Sequence, residues 1–356
     1  MSLDFRELSK QVYGEVHIAQ TDLSLNPGVF NVLLGPTLSG KTSLMRLMAG
    51  LDQPSTGSVW FKGQNVTGIP VQRRNLAMVY QQFINFPNMS VFENIASPLR
   101  IQKLSETQLR PRVEKVAELL KLTPYMQRKP SELSGGQQQR TALARALVKG
   151  ADLVLLDEPL VNLDYKLREE LREELPRLFA DTGATVVYAT TEPHEALLMG
   201  GYTATMREGR VTQYGPTHEV FRKPHDLATA KAFSDPPLNT LNLKRTEKGF
   251  EGEQGLSLQL PPFQNVPVGE YTLGFRPHHL QIQSNGKEIL ELSGEVTVTE
   301  ITGSESFIHL RWAEHDWVAH TRGVMHFPPG TKLELYVSPS KCLLFDDQEQ
   351  LVLAQV

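Results

Sequence analysis

Cysteine is almost absent from this chain, which contains only Cys342 in 356 residues. A single cysteine excludes a disulfide within the chain and is typical of a reducing compartment such as the cytosol. No stretch approaches the roughly 18 uninterrupted apolar residues of a membrane-spanning helix, so we expect any membrane association to come through a partner. The segment Met1–Lys10 lacks the basic-then-apolar layout of a secretion signal.

A strong excess of one charge is also missing. The 36 Lys and Arg residues stand against 40 Asp and Glu residues, so the net charge is -4 and the isoelectric point about 6.2. No run of about five basic residues occurs, and we expect no nucleic-acid partner. The late histidines have neither a compact ligand spacing nor a cysteine partner, so we expect no metal site there. They are His278, His279, His309, His315, His320 and His326.

A glycine-rich segment, Gly35–Thr42, fits the pattern G-x-x-x-x-G-K-[ST] in full. It follows the apolar run Val29–Leu34, which predicts a buried strand, and it precedes a helical stripe between Thr42 and Leu51. In such a strand–loop–helix, backbone N–H groups and the helix N-terminus attract phosphate oxygens. A chance glycine-rich turn is the alternative, but this context favours a phosphate-binding P-loop.

Two further segments place polar groups beside regular structure. Asp157 and Glu158 directly follow the aliphatic run Leu153–Leu156, so both carboxylates lie at the end of a predicted strand. Alone, such a pair would indicate a solvated turn; beside a P-loop it predicts phosphoryl-transfer chemistry, which depends on positioning and charge neutralisation. The segment Ser134–Gln137 precedes a second predicted helix, for which Ser134 is a suitable N-cap, and offers a second anion-binding helix start.

This ordered set of motifs resembles the ATP-binding-cassette (ABC) transporter ATPases. The segments Gln213–Pro216 and Gly274–Pro277 narrow the resemblance to MalK-like importer ATPases. The resemblance implies an α/β P-loop ABC ATPase domain over residues 1–235, with a helical subdomain around residues 89–150. It also implies a C-terminal all-β regulatory domain over residues 236–356, barrel-like and of the OB or TOBE type, which agrees with the alternating strands of that region.

The resemblance implies ATP and Mg²⁺ as cofactors and assigns the site residues. Catalytic positions are Glu158, which would polarise the attacking water, Gln81 and Thr191; the Mg²⁺ ligands would be Thr42, Gln81 and Asp157. The nucleotide-binding set consists of Tyr13, which would stack on adenine, the P-loop residues Gly35, Pro36, Thr37, Leu38, Ser39, Gly40, Lys41, Thr42 and Ser43, and then Ser134, Gly135, Gly136, Gln137 and Asp164.

The resemblance implies a dimer, because the Ser134–Gln137 segment would face the nucleotide of a second subunit. Thr191 breaks the family pattern, since a histidine that contacts the γ-phosphate usually stands there. Losing one preorganised donor typically costs roughly 10²- to 10³-fold in rate, so we expect slow hydrolysis at this chain's own P-loop. His194 is one candidate replacement. We favour pairing with a non-identical ATPase that keeps its histidine. Val161, beside the segment Asn162–Asp164, is a second departure.

We therefore expect an ATP-binding and ATP-hydrolysing subunit of an ABC importer, which energises uptake of glycerol or a related polyol or sugar. It would be a peripheral protein on the cytoplasmic face of the inner or plasma membrane. Two membrane permease subunits would dock near the apolar loop Phe83–Met89, for which local packing is the alternative explanation. An extracytoplasmic solute-binding protein would take part indirectly. The other classes are a non-transport regulatory ABC protein and a simple P-loop kinase, in which Leu133–Gln137 would have no role.

Overall fold

The structure, a computed structural model, describes residues 2–161, 163–180, 182–284 and 289–354. Contacts divide the chain into two compact units, Met1–Thr217 and His218–Val356. The predicted domain boundary between residues 235 and 236 stays a prediction. Asn162, in the predicted segment Asn162–Asp164, lies outside the described residues.

The first unit alternates strands and helices. Its strands are β1 (Leu3–Val12), β2 (Glu15–Leu25), β3 (Phe30–Leu34), β4 (Thr56–Phe61), β5 (Gln64–Asn65), β6 (Leu76–Val79), β7 (Leu153–Asp157), β8 (Thr185–Thr190), β9 (Tyr202–Arg207) and β10 (Arg210–Pro216). Its helices are α1 (Lys41–Ala49), α2 (Val91–Ile101), α3 (Glu106–Leu119), α4 (Gly135–Val148), α5 (Tyr165–Ala180) and α6 (Pro193–Met199).

Two sheets form the framework of this unit. The first is antiparallel, in the order β2-β1-β4-β5. The second has the order β10-β9-β3-β8-β7-β6, and its strands β9, β3, β8, β7 and β6 are parallel. Buried side chains of helix α1, among them Leu44 and Met48, belong to the same hydrophobic core as buried residues of β1, β3 and β7. The parallel arrangement brings the carboxyl ends of its strands to one edge.

Local sequence signals explain where the important helices begin and end. Helix α1 stops at Ala49, two residues before the predicted end at Leu51, because Gly50 adopts a left-handed conformation (φ 75°) and its N–H bonds to the last turn. Ser134 caps α4 as predicted: its hydroxyl accepts a hydrogen bond from the Gln137 N–H (3.4 Å), and the Gln137 side chain returns to the Ser134 N–H.

The second unit is built mainly from strands. Two short helices, α7 (Thr217–Arg222) and α8 (Leu227–Ala232), precede β11 (Asn239–Thr246), β12 (Gly249–Glu251), β13 (Ser257–Leu258), β14 (Gly269–Phe275), β15 (Leu290–Ile301), β16 (Glu305–Trp312), β17 (His315–Arg322), β18 (Lys332–Val337), β19 (Leu343–Phe345) and β20 (Leu351–Ala354). One sheet has the order β13-β12-β11-β14-β19-β20 and the other β17-β16-β15-β18. Buried side chains of both sheets, among them Leu273 and Trp317, form one core, which confirms the predicted all-β architecture.

A half-buried histidine in this unit makes stability depend on pH. Burial, followed by the charges of His278, Arg276 and Lys341, lowers the pKa of His279 from 6.5 to about 4. The unfolded chain therefore binds this proton at a higher pH than the folded chain does. Consequently the free energy of unfolding should fall as the pH drops from about 6.5 to about 4. We expect a loss on the order of 1 kcal/mol, because solvent screens a ring that is only partly buried.

Urea unfolding followed by tryptophan fluorescence at pH 7 and near pH 4.5 checks this expectation. The loss of stability between the two pH values should be smaller in His279→Gln than in the unmodified chain. His326→Gln serves as the control, since His326 is an exposed histidine of the same unit. An equal loss in all three proteins would contradict the assignment.

None of the helices in the described part of the chain combines the length and apolar character needed to cross a bilayer.

Candidate functional site

Predicted site residues lie at or just after the carboxyl ends of the parallel strands β3, β6, β7 and β8, at the same edge of the sheet. Gly35 follows β3, Gln81 follows β6 by two residues, Asp157 ends β7 and Thr191 follows β8. Backbone hydrogen bonds join these strand ends: Gly35 N donates to Thr190 O (3.4 Å) and Glu158 N donates to Ala189 O (3.0 Å). The edge therefore holds the P-loop, both carboxylates and the Thr191 position side by side.

A cavity of about 500 Å³ opens at this edge. Its lining contains the P-loop from Thr37 onwards together with Gln81 and Glu158, as predicted, and adds residues of β2 and of the β9–β10 turn. The full lining is Glu15, Val16, His17, Thr37, Leu38, Ser39, Gly40, Lys41, Thr42, Ser43, Gln81, Glu158, Glu208 and Gly209. The size and the polar lining suit a phosphate-bearing ligand.

The two glycines of the P-loop are required by close backbone approach. A Cβ on Gly35 would lie 2.3 Å from Met206 O, a distance that no side chain can accept. Gly40 has φ 101° and a Cβ there would lie 3.1 Å from His17 O. Gly40 also provides no side-chain cap for α1. The first N–H groups of this helix are thus left to an anion.

Lys41 is buried beneath the loop that it serves. Its ammonium donates to Gly35 O (2.7 Å) and Pro36 O (2.9 Å) and lies 3.8 Å from Glu158 Oε1. Burial lowers the pKa of Lys41, while the negative charges of Glu158 and Asp157 oppose that shift. The side chain therefore presents a partly desolvated cation at the P-loop, where phosphate oxygens would bind it strongly.

The oxygens around Asp157 fit a hard cation with a phosphate ligand. Thr42 Oγ1 donates to Asp157 Oδ2 (2.9 Å). Asp157 Oδ1 and Ser39 Oγ are buried and have no hydrogen-bond partner within the described residues, and such groups are rare unless a ligand or water completes them. Carboxylate and hydroxyl oxygens are the donors that Mg²⁺ prefers, and it takes its remaining ligands from phosphate and water. When bound, Mg²⁺ would neutralise phosphate charge.

Glu158 is placed to act on water. Gln81 Nε2 donates to Glu158 Oε2 (3.0 Å), which orients the carboxylate. Burial raises the pKa of Glu158; Lys41 opposes the rise, and the charges of Asp157, Glu195 and Glu192 add to it. A carboxylate with a raised pKa is a better proton acceptor for an attacking water than an ordinary surface carboxylate.

Comparison with known proteins agrees with this geometry. Residues 18–161 match the family model described as ABC transporter, and residues 273–345 match the TOBE domain model. The trehalose/maltose import ATP-binding protein MalK of Thermococcus litoralis is 36% identical, over 94% of this chain and 95% of that protein. The chain belongs to the ATP-binding subunits of ABC importers.

Two further comparisons support the same family. The sn-glycerol-3-phosphate import ATP-binding protein UgpC of Pectobacterium atrosepticum is 34% identical to this importer subunit, over 98% of each chain. A dimeric structure of the ATP-binding cassette MJ0796 in a post-hydrolysis state, bound to ADP and Pi, is similar with a TM-score of 0.56 and 27% identity, over 60% of this chain and 98% of that chain. The predicted ABC ATPase fold with a helical subdomain and a TOBE domain is thereby confirmed.

Other predicted site residues of this importer subunit lie outside the cavity lining. Tyr13 is fully exposed at the tip of the β1–β2 turn, two residues before Glu15 of the lining. Ser134–Gln137 cap α4, and Asp164 caps α5 by accepting from Leu167 N (3.0 Å). These residues are not brought together with the P-loop in the single chain, and their roles stay predictions.

Thr191 and His194 differ in their surroundings. Thr191 is half-buried, and its side chain has no hydrogen-bond partner in the part of the chain that the structure describes. His194 is exposed in the first turn of α6, directly after Pro193 at the first helical position. Neither Thr191 nor His194 is among the residues that line the cavity.

The sequence did not reveal a cluster of charged and polar side chains from α5, β8 and the residues that follow Thr191. Arg172 and Glu195 are buried and paired (3.0 Å), and Tyr188 and Arg168 join the same set. The available signal was the spacing of the two arginines, four residues apart on α5, which puts them on one helix face. The carboxylates that they meet come from a distant segment, so no local pattern could have identified them.

The apolar loop Phe83–Met89 is tied to neighbouring helices by polar contacts but stays exposed. Asn94 Nδ2 donates to Phe86 O (3.1 Å) and Met89 O (3.0 Å), and the Arg145 guanidinium lies 4.9 Å from the centre of the Phe86 ring. Nevertheless Ile84 is 60%, Phe86 45% and Met89 39% exposed. Local packing of the loop therefore leaves three large apolar side chains uncovered, which is characteristic of an interaction surface.

Proposed function

We propose that this chain energises the import of a polyol or sugar, with glycerol as the first solute to test. ATP with Mg²⁺ would bind at Lys41, Thr42 and Asp157, and Glu158 with Gln81 would orient the attacking water. The observation that carries the proposal is the convergence of the segments after β3, β6 and β7 on one cavity that contains a buried lysine and a paired carboxylate. Relatives named for import of trehalose/maltose and of sn-glycerol-3-phosphate support the solute class.

The chain would work at the cytoplasmic face of the membrane, bound to two permease subunits. The exposed side chains of Ile84, Phe86 and Met89 provide the docking surface, and an extracytoplasmic solute-binding protein would deliver the solute. This surface favours a transporter subunit over a purely regulatory ABC protein, because a regulator without permeases has no use for it.

We further propose that the ATPase unit is an asymmetric heterodimer. Thr191 cannot supply the imidazole that the family pattern requires, and the exposed position of His194 gives no support for a replacement. One composite site would combine the partner's P-loop and histidine with Ser134–Gln137 of this chain. The other, based on Lys41 and Glu158, would bind ATP and turn over slowly.

The test is uptake of labelled glycerol by cells that express this chain with its co-purifying membrane proteins. Lys41→Ala should lower the affinity of the chain for Mg-ATP by roughly 10- to 100-fold, since a charge-assisted contact to phosphate is lost, and uptake should fall with it. Lys166→Ala, which changes an exposed lysine of α5, is the matched control. Competition by trehalose, maltose and sn-glycerol-3-phosphate ranks the solutes.

Two results would contradict the proposal. One is recovery of soluble partners alone when the tagged chain is purified from membranes. The other is unchanged uptake with Lys41→Ala.

A further inference from the structure

Helix α5 carries two arginines that contact separate segments of the site edge. Arg168 and Arg172 are four residues apart and therefore lie on the same helix face. Both contact Glu192: Arg168 Nη1 lies 3.5 Å from Glu192 Oε1, and Arg172 Nη2 pairs with Glu192 Oε2. We call Arg168, Arg172 and Glu192 the arginine bridge.

One end of the arginine bridge holds the loop after Glu158. Arg168 Nη2 donates to Val161 O (3.0 Å) and to Leu163 O (3.3 Å). These residues and Asp164 form what we call the Asp164 loop. The backbone of this loop thus depends on the same guanidinium that reaches Glu192.

The other end holds strand β8 and the residues that follow it. Arg172 contacts Glu195 Oε1 through Nε (3.1 Å) and Nη2 (3.0 Å). Glu195 Oε2 in turn accepts hydrogen bonds from Tyr188 Oη (2.9 Å) and Thr190 Oγ1 (2.6 Å). Arg172, Glu195, Tyr188 and Thr190 are all buried, so these charged contacts are shielded from water.

Thr190, Thr191 and Glu192 form what we call the Thr191 turn. Glu192 belongs to this turn, and Glu192 N also donates to Thr190 Oγ1 (3.0 Å). Each oxygen of the Glu192 carboxylate contacts one arginine. Within the described residues, this side chain is therefore the only direct link between the two arginines. Contacts therefore run without interruption from the Asp164 loop through Arg168 and Glu192 to the Thr191 turn.

We propose that Glu192 is a positioning residue for ATP hydrolysis, which couples the Asp164 loop to the Thr191 turn through the arginine bridge. The proposal rests on the proposed ATPase function. Its chemical basis is that guanidinium–carboxylate contacts are directional, so that both segments keep one relative arrangement. An aspartate is one methylene shorter, so we expect Glu192→Asp to weaken the contacts with the two guanidinium groups.

Hydrogen exchange on the full-length chain without nucleotide tests the coupling. Glu192→Gln keeps the shape of the side chain and removes its charge. It should raise amide exchange in residues 163–168, at the far end of the bridge, on the order of tenfold. Arg168→Gln should raise exchange in residues 189–192 by a similar factor. The controls are Glu173→Gln and Arg177→Gln, which make the same changes on the exposed face of α5.

A kinetic measurement complements exchange. In the co-purified complex with Gly135→Asp on this chain, which would leave only the site at Lys41 and Glu158, Glu192→Gln should lower kcat about tenfold with KM for ATP unchanged, because the P-loop contacts are untouched. Glu192→Asp should behave like Glu192→Gln. Exchange that rises only next to the substituted residue would overturn the coupling, as would an unchanged kcat.

The two proposals can fail separately. Exchange needs neither ATP nor a partner. If the chain does not bind ATP, the proposed function fails while the exchange result still decides the coupling. If ATP binds and the far segment is unaffected, only the coupling is wrong.

Discussion

Gly135→Asp in this chain is expected to lower ATP hydrolysis by the co-purified complex by roughly 10²-fold or more, without weakening the fold. A Cβ on Gly135 would have no other atom within 4 Å. Gly135 is also the first residue of α4, where the helix dipole stabilises a carboxylate. In the proposed dimer, the same carboxylate would face the phosphates of the nucleotide held by the partner's P-loop. Two like charges about 4 Å apart near a protein surface repel by about 4 kcal/mol.

Steady-state hydrolysis of ATP by the complex gives the measurement. Gly135→Asn, of the same shape and without charge, is the control and should retain much more activity. The affinity of the isolated chain for Mg-ATP should not change, since its own P-loop is intact. Full hydrolysis by the Gly135→Asp complex would show that Ser134–Gln137 face no nucleotide.

Thr191→His, added to Gly135→Asp, is expected to raise hydrolysis again by roughly 10²- to 10³-fold. The proposed asymmetry explains why: Gly135→Asp leaves only the site at Lys41 and Glu158, and the histidine adds the missing donor to transition-state charge there. The change breaks no hydrogen bond of the Thr191 side chain within the described residues, and Thr191 is only half-buried.

Hydrolysis by the double variant is compared with that of Gly135→Asp alone. Thr191→Ser is the control and should give no gain, since a hydroxyl replaces a hydroxyl. Lys41→Ala should abolish the gain, because the activity then comes from this chain's own P-loop. A pair of identical subunits would behave differently: Gly135→Asp would block both sites and Thr191→His would restore nothing. That outcome would refute the heterodimer.

Much of the site could be predicted because its signals are local. The P-loop needs a strand, two glycines and a helix start in direct succession, and residues 30–42 provide all of them. Ser134 and Gln137 are three residues apart, the spacing of a capping box, and they form one. The carboxylates after Leu153–Leu156 lie at the end of β7 because an aliphatic run of that length makes a buried strand.

The parts that could not be predicted depend on segments distant in the chain. Lys41 contacts Glu158, and Arg172 contacts Glu192 and Glu195. These partners are far apart in the chain, so no helix or strand periodicity in the sequence could indicate the contacts. The sequence places Gly50 close to the end of α1, but the last helical residue, Ala49, lies two residues before the end of the predicted stripe at Leu51.

By itself, the sequence determined the local features of this importer subunit: a glycine-rich loop between β3 and α1, two carboxylates at the end of β7, and a threonine directly after β8. These features depend on residues that are close together in the chain, so the local backbone geometry is enough to produce them. Only the tertiary structure decided which oppositely charged side chains come into contact. In the parallel sheet, β8 lies between β7 and β3. Helix α5 packs against α6. This arrangement brings Arg168 and Arg172 of α5 into contact with Glu192, which lies between β8 and α6.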